Sequence, residues 1–142
     1  MNKIKIVIEL TRLNKPIGIM LLFWPCLWGL TLALNQTTEF ALFIKYIILF
    51  FLGSILMRSA GCIFNDIVDK DFDKQVDRTK NRPIPAGRIS KQESFVYIIL
   101  FCLVALIILF QFNSITIILG LLSMPLVFSY PYMKRFTYWP QL

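Results

Sequence analysis

Read for runs of apolar and polar positions, the chain alternates four long apolar stretches with short or charged connections. Ile17–Leu34 has 18 residues without a charge, and Phe40–Phe64 carries only Lys45 near its start and Arg58 near its end. The third and fourth runs are roughly Phe95–Phe112 and Ile115–Tyr132. About 20 apolar residues cross a bilayer as a helix, and 17 is near the lower limit. These runs have no polar face of the kind a helix in a soluble domain keeps toward water. The pattern predicts an all-α, multi-pass transmembrane bundle with four spans at about 17–34, 40–64, 95–112 and 115–132.

The flanks add detail. Residues 2–15 mix charges with Ile4, Val7, Ile8 and Leu13 at helical spacing, which predicts an amphipathic helix lying at the interface. Asn14-Lys15-Pro16 is expected to end it, with Pro16 suited to the first turn of the next helix. Pro25 and Pro125 are expected to kink the first and fourth spans, and Pro131 to end the fourth. Asn35–Glu39 reads as a tight turn with a Thr cap for the second span, so the first two spans form an antiparallel hairpin. Arg82-Pro83-Ile84-Pro85-Ala86-Gly87-Arg88 cannot be helical, because two prolines and a glycine fall within five residues. Ser90-Lys91-Gln92-Glu93 reads as a capping box opening the third span.

Residues 65–91 form the one long polar segment and hold five of the eight acidic residues. On a helix continuing out of the second span, Asp66, Asp69, Asp73 and Asp77 fall within an arc of about 80°. Arg58 and Asn65 project onto its edge, and Asp71 points the other way. A row of like charges repels itself in a bare helix and becomes sensible with divalent cations over it. Hard oxygen donors without histidine or thiolate favour Mg²⁺, which completes its shell with water and phosphate oxygens. The basic residues from Lys70 to Arg88 follow at once, and arginine suits phosphate geometry. A plain alternative is a solvated loop in which Asp66 pairs with Lys70. It explains mixed charge but not a one-sided stripe at the mouth of a membrane helix. Arg58 lies about two turns inside the membrane edge. Such a residue either snorkels or faces a cavity, and its alignment with the aspartates favours the site.

Charge sets the topology. Of 15 Lys and Arg residues, four precede the first span, seven lie between the second and third, and two follow the fourth. The Asn35–Glu39 and Asn113–Ser114 connections have none, so both ends are expected in the cytoplasm. That distribution accounts for the net charge of +7 without a nucleic-acid partner. No cleaved signal peptide is expected, because a 16-residue basic stretch precedes the first run and no small-residue cleavage site follows it. Cys26, Cys62 and Cys102 each sit in an apolar run and read as small buried hydrophobes. With no histidine, imidazole chemistry is excluded.

Several stretches together resemble the UbiA-type intramembrane prenyltransferases, and within them the branch acting on 4-hydroxybenzoate. Asn65-Asp66-Ile67-Val68-Asp69-Lys70-Asp71-Phe72-Asp73 is similar to that family's first Asp-rich motif, with Arg58-Ser59-Ala60-Gly61-Cys62 leading into it. Residues 82–90 resemble its downstream loop, residues 12–18 and 22–28 its first span, and residues 130–137 its fourth-helix exit. The resemblance implies Mg²⁺-dependent transfer of a polyprenyl group from a polyprenyl diphosphate to 4-hydroxybenzoate, in ubiquinone biosynthesis, at a bacterial inner membrane. It implies catalytic Asp66, Asp69 and Asp73, with Asn65 joining them as metal ligands. Arg58, Arg82 and Arg88 would hold diphosphate, and Arg12 or Lys134 would meet the aromatic acid's carboxylate. The donor's tail would lie among the spans, open to lipid.

One departure stands out. The family carries a second Asp-rich motif in a later half, and beyond Asp77 the sole acidic residue here is Glu93. Residues 1–142 are therefore expected to be the N-terminal half of such a domain, a truncated frame or a fragment, with a missing C-terminal half as its partner. Alone it should bind metal-diphosphate weakly. The alternatives are an inactive four-span fragment, or a member of the family using another aromatic acceptor.

Overall fold

The computed structural model describes residues 3–33 and 39–136, with side chains as far as Met133. Among them there are only helices and turns: α1 Lys3–Thr11, α2 Ile17–Leu32, α3 Phe40–Val68, α4 Lys70–Asp73, α5 Lys91–Leu109 and α6 Ser114–Phe136. Three of these, α3, α5 and α6, are long and apolar enough to cross a membrane. Helix α2 is apolar but shorter, at 16 residues; that is about 24 Å of helix against a hydrocarbon core of about 30 Å. The protein is an all-helical membrane bundle.

Helix α3 is the hub, with α1, α2, α5 and α6 all packed on it. Helices α2 and α3 run antiparallel: Phe23 meets Phe51 edge to face at 5.3 Å, and Gly18 lies against Arg58. At the far end Phe112 stacks on Tyr46, centroids 5.4 Å apart, and meets Phe50 at a tilt, centroids 4.6 Å apart. Phe64 packs edge-on against Phe128 of α6. Between α2, α3, α5 and α6 lies an apolar cavity of about 470 Å³, lined among others by Leu22, Cys26, Phe50, Cys102 and Phe112. Most apolar side chains face outward, as a bundle solvated by lipid requires.

The most deeply buried cluster sits at the charged end, not in mid-bundle. Leu10, Ala60, Ile63 and Ile84 are fully buried, with Ile89 and Ile98 against them. Leu10 belongs to α1, so the expected interfacial helix is also a packed part of the core. It is shorter than expected, ending at Thr11 instead of running to Asn14. Two backbone bonds close it, Arg12 N to Glu9 O at 3.3 Å and Leu13 N to Ile8 O at 3.2 Å. Arg12 takes the left-handed conformation, φ 57°, that such a cap needs.

Residues 74–90 form a chain of turns, as the Pro-Gly content predicts. They are not a loose loop: Pro83, Ile84 and Pro85 are buried. Arg88 N reaches Pro83 O at 2.9 Å and Gly87 N reaches Ile84 O at 3.1 Å. This repeats the cap pattern of α1, with Gly87 at φ 70° in the left-handed position. The capping box is present, Ser90 Oγ accepting from Glu93 N at 3.0 Å. Helix α5 accordingly starts at Lys91, one turn before the expected span. Asn113 Oδ1 accepts from Thr116 N at 2.9 Å at the head of α6.

Other local expectations change. Pro131 does not end the fourth helix; α6 contains both Pro125 and Pro131 and runs on to Phe136. Pro25 lies inside α2, whose assignment continues through it. Glu39 is the cap of α3 and makes no side-chain cap bond, while Thr37 and Thr38, expected to cap it, lie outside the described residues.

Candidate functional site

The acidic segment starts as a helix and then breaks. Helix α3 ends at Val68, Asp69 caps it with its N–H on Asn65 O at 2.9 Å, and α4 lasts four residues. Beyond Asp73 the chain turns, because Thr79 Oγ1 donates to Asp73 O at 2.9 Å and ties the following turn back. Thr79 is buried. A helical stripe reaching Asp77 is therefore not what forms: Asp77 is exposed and pairs with Lys80 at 2.7 Å. Asp71 points outward, as its register predicts, and pairs with Lys74 at 3.7 Å.

The break gathers charge around Asp66, which is 1% exposed. Arg12 Nη2 reaches Asp66 Oδ1 at 2.5 Å and Arg82 Nη1 reaches the same oxygen at 3.1 Å. The same Arg82 nitrogen donates to Asp73 Oδ2 at 2.9 Å. Two carboxylates thus converge on one cationic nitrogen. Removing one partner from a buried ion pair costs about 3–5 kcal/mol, so these contacts tie Arg12 and the returning turn firmly to the end of α3. Outside this ring Arg88 Nη2 holds Glu9 Oε2 at 2.7 Å and donates to Asn81 O at 2.6 Å. Helix α1 is therefore fastened by Leu10 and by two ion pairs.

Of the residues expected to act together, Asp66, Asp73, Arg12 and Arg82 meet directly, and Arg88 sits one pair away. Asp69 is buried beside them at the end of α3, preceded by half-buried Asn65, and both are engaged by neighbours. Arg12 lies on Asp66 here, and the Asp66–Lys70 pair of the plain alternative does not form. Arg58 is half-buried against the first turn of α2 and makes no ion pair with a described residue. Lys134 lies on α6, and its side chain is outside the described residues. Sequence reading missed Glu9 and Thr79. Nothing in the pattern marks Thr79, whereas Glu9, three residues before Arg12 on the same helix end, could have been paired with the basic loop.

Among the described residues, no three acidic or thiol side chains cluster tightly enough to share one ion. Two do come together, Asp66 and Asp73, both hard oxygen donors. Mg²⁺ is commonly bound through one or two carboxylates, the rest of its shell being water and phosphate. The donor set fits that ion.

The fold and the ring together define a class: helical membrane proteins that carry an aspartate–arginine cluster at one end of the bundle. The profile of the UbiA prenyltransferase family matches residues 22–142, and the chain belongs to that family. It is 43% identical over 141 residues to a Vibrio atlanticus 4-hydroxybenzoate octaprenyltransferase, covering 99% of this chain and 48% of that protein. It is 44% identical over 134 residues to its namesake from Alkalilimnicola ehrlichii, covering 94% of this chain and 44% of the relative. A mitochondrial 4-hydroxybenzoate polyprenyltransferase of Arabidopsis thaliana is 47% identical over 133 residues, 94% of this chain and 32% of its own length. The chain spans about half the length, or less, of the curated relatives it matches. No solved structure matches it.

Proposed function

We propose that this chain forms the donor-binding part of a Mg²⁺-dependent prenyltransferase that moves a polyprenyl group from its diphosphate to 4-hydroxybenzoate, in ubiquinone biosynthesis. One observation carries the reading: Asp66 and Asp73 share a single guanidinium nitrogen at the mouth of a membrane helix. Two carboxylate oxygens already gathered on one positive charge support that reading. The names of the relatives supply the substrates.

In this reading Asp66 and Asp73 hold the metal, with Asn65 and Asp69 completing its protein side. Mg²⁺ supplies charge neutralisation for the departing diphosphate. Arg82, Arg58 and Arg88 would hold the phosphate oxygens. Arginine pairs bidentately with phosphate, so each such contact strengthens as charge builds on the leaving group. Arg12 stays on Asp66 and keeps its carboxylate oriented, or meets the aromatic acid's carboxylate together with Lys134. The apolar cavity between α2, α3, α5 and α6 receives part of the donor's tail. Helices α2, α3, α5 and α6 are the four spans of the N-terminal half of the domain. Both ends face the cytoplasm of a bacterial inner membrane, as the basic flanks indicate.

The test is a membrane assay. The 142-residue chain is co-expressed with the C-terminal half of the Vibrio atlanticus relative and supplied with 4-hydroxybenzoate, a polyprenyl diphosphate and Mg²⁺. Prenylated product is expected, falling by at least about a hundredfold in Asp66→Asn or Asp69→Asn. Undiminished product in both variants, or none with the wild-type chain, rejects the reading. The half-length coverage favours a second outcome for the chain on its own: a four-span protein that binds the donor without turning it over.

A further inference from the structure

Arg58 is a charged side chain on a span, ten residues before the end of α3. Intramembrane arginines normally pair with an acid or face a polar cavity. Arg58 has no acidic partner among the described residues, and its guanidinium is instead laid against the backbone of Gly18 in the first turn of α2. A β-carbon at position 18 would stand 2.5 Å from Nε, 2.8 Å from Nη2 and 2.9 Å from Cζ. Carbon and nitrogen atoms do not approach that closely without one of them moving. All three are at the far end of a flexible side chain, so an added methyl displaces the guanidinium without disturbing the helices.

Among the described residues, no ion pair holds Arg58 in that place. The beginning of a helix carries positive partial charge and repels a cation. The seat is a matter of shape. The hairpin brings α2 and α3 together in one antiparallel register, in which Gly18 faces Arg58 and Phe23 faces Phe51. Residue 18 is the position where a missing side chain lets the planar group lie flat.

We propose that Gly18 is a positioning residue for anion binding: its bare backbone sets the direction and reach of Arg58 toward the diphosphate. This rests on the donor-binding function proposed above. With Gly18 in place, Arg58 loses little side-chain freedom when the anion arrives, because its orientation is already chosen.

The experiment uses the chain in lipid nanodiscs and four sequences: wild type, Gly18→Ala, Arg58→Lys and the double variant. Phenylglyoxal modification of Arg58, read by peptide mass spectrometry, reports the seat without any ligand, with exposed Arg78 as internal standard. Calorimetric titration with geranyl diphosphate and Mg²⁺ reports the anion site. Circular dichroism checks that helix content is kept. Gly18→Ala is expected to raise the modification rate of Arg58 severalfold against Arg78. It is expected to weaken geranyl diphosphate by about tenfold, the scale of one charge-assisted contact. In the Arg58→Lys background the same change should do almost nothing, since a slim ammonium clears the new methyl and the cycle is non-additive. An unchanged Arg58 modification rate in Gly18→Ala, or additive losses in the double variant, overturns the positioning role and leaves the donor reading intact. If Arg58→Lys binds geranyl diphosphate as well as wild type, or wild type does not bind it, the diphosphate reading of Arg58 fails as well. A Gly18→Ala chain that loses helix content while the double variant keeps it supports the collision directly; loss in both overturns it.

Discussion

Two residues in the site's surroundings take the left-handed backbone, and they differ in a telling way. Gly87 closes the turn after Ile84 with the residue type such a position favours. Arg12 closes α1 by the same pair of backbone bonds, yet carries a long side chain and a β-carbon that costs about 1–2 kcal/mol there. Its guanidinium on Asp66 explains why glycine is not used. Backbone and charge can be separated by substitution. Arg12→Ala loses the ion pair and keeps the strain; Arg12→Gly loses the ion pair and relieves the strain. Both variants should melt below wild type, with Arg12→Gly above Arg12→Ala by about 1 kcal/mol in thermal unfolding in detergent. Equal stabilities would show that the backbone at residue 12 relaxes elsewhere. The sequence offers Arg12 as a candidate for the aromatic acid's carboxylate but not its backbone or its hold on Asp66, because a left-handed arginine is set by tertiary contacts and not by local propensity.

Among the elements, the sequence showed the long apolar helices and their order, and missed where helices stop. Apolar periodicity gives a span directly, since lipid demands it along its whole length. The ends are decided by neighbours. Helix α3 stops at Val68 where the acidic segment meets Arg82, so the aspartates are collected by a break and a returning turn, not by one continuous face. Asp66 and Asp73 still converge, each on the same Arg82 nitrogen. Helix α1 taught the opposite lesson. Its mixed charge reads as a surface helix, but Leu10 is fully buried against α3, Ile84 and Ile89. Leu10→Ala should cost about 2–5 kcal/mol, the range for a buried leucine cavity. It should also speed proteolysis within residues 3–16, followed by mass spectrometry, because Leu10 is one of the three ties that hold α1. A surface-lying α1 would leave both readings unchanged.

At the scale of the whole molecule, charge and burial lie at one end. The basic flanks, the aspartate–arginine ring and the tight core of Leu10, Ile63 and Ile84 are together, while the far end holds the Phe112, Tyr46 and Phe50 cluster. This polarity predicts a sidedness. In spheroplasts, with Cys26, Cys62 and Cys102 replaced by alanine, a cysteine at Asn113 should react with a membrane-impermeant maleimide. A cysteine at Asn14 should react only after lysis. Labelling of Asn14 in intact spheroplasts would reverse the orientation that the lysine and arginine distribution implies.

Arg82, poised between two carboxylates, balances their charge together with Arg12. Under the proposed function, an incoming ion would compete with a guanidinium on a short leash, whose local concentration is in the millimolar range or above. Weakly attracted monovalent ions lose that contest to the resident group. Under the proposed function, a divalent ion arriving with phosphate oxygens would offer the arginine a new anion to hold, so metal and anion would bind together better than either alone.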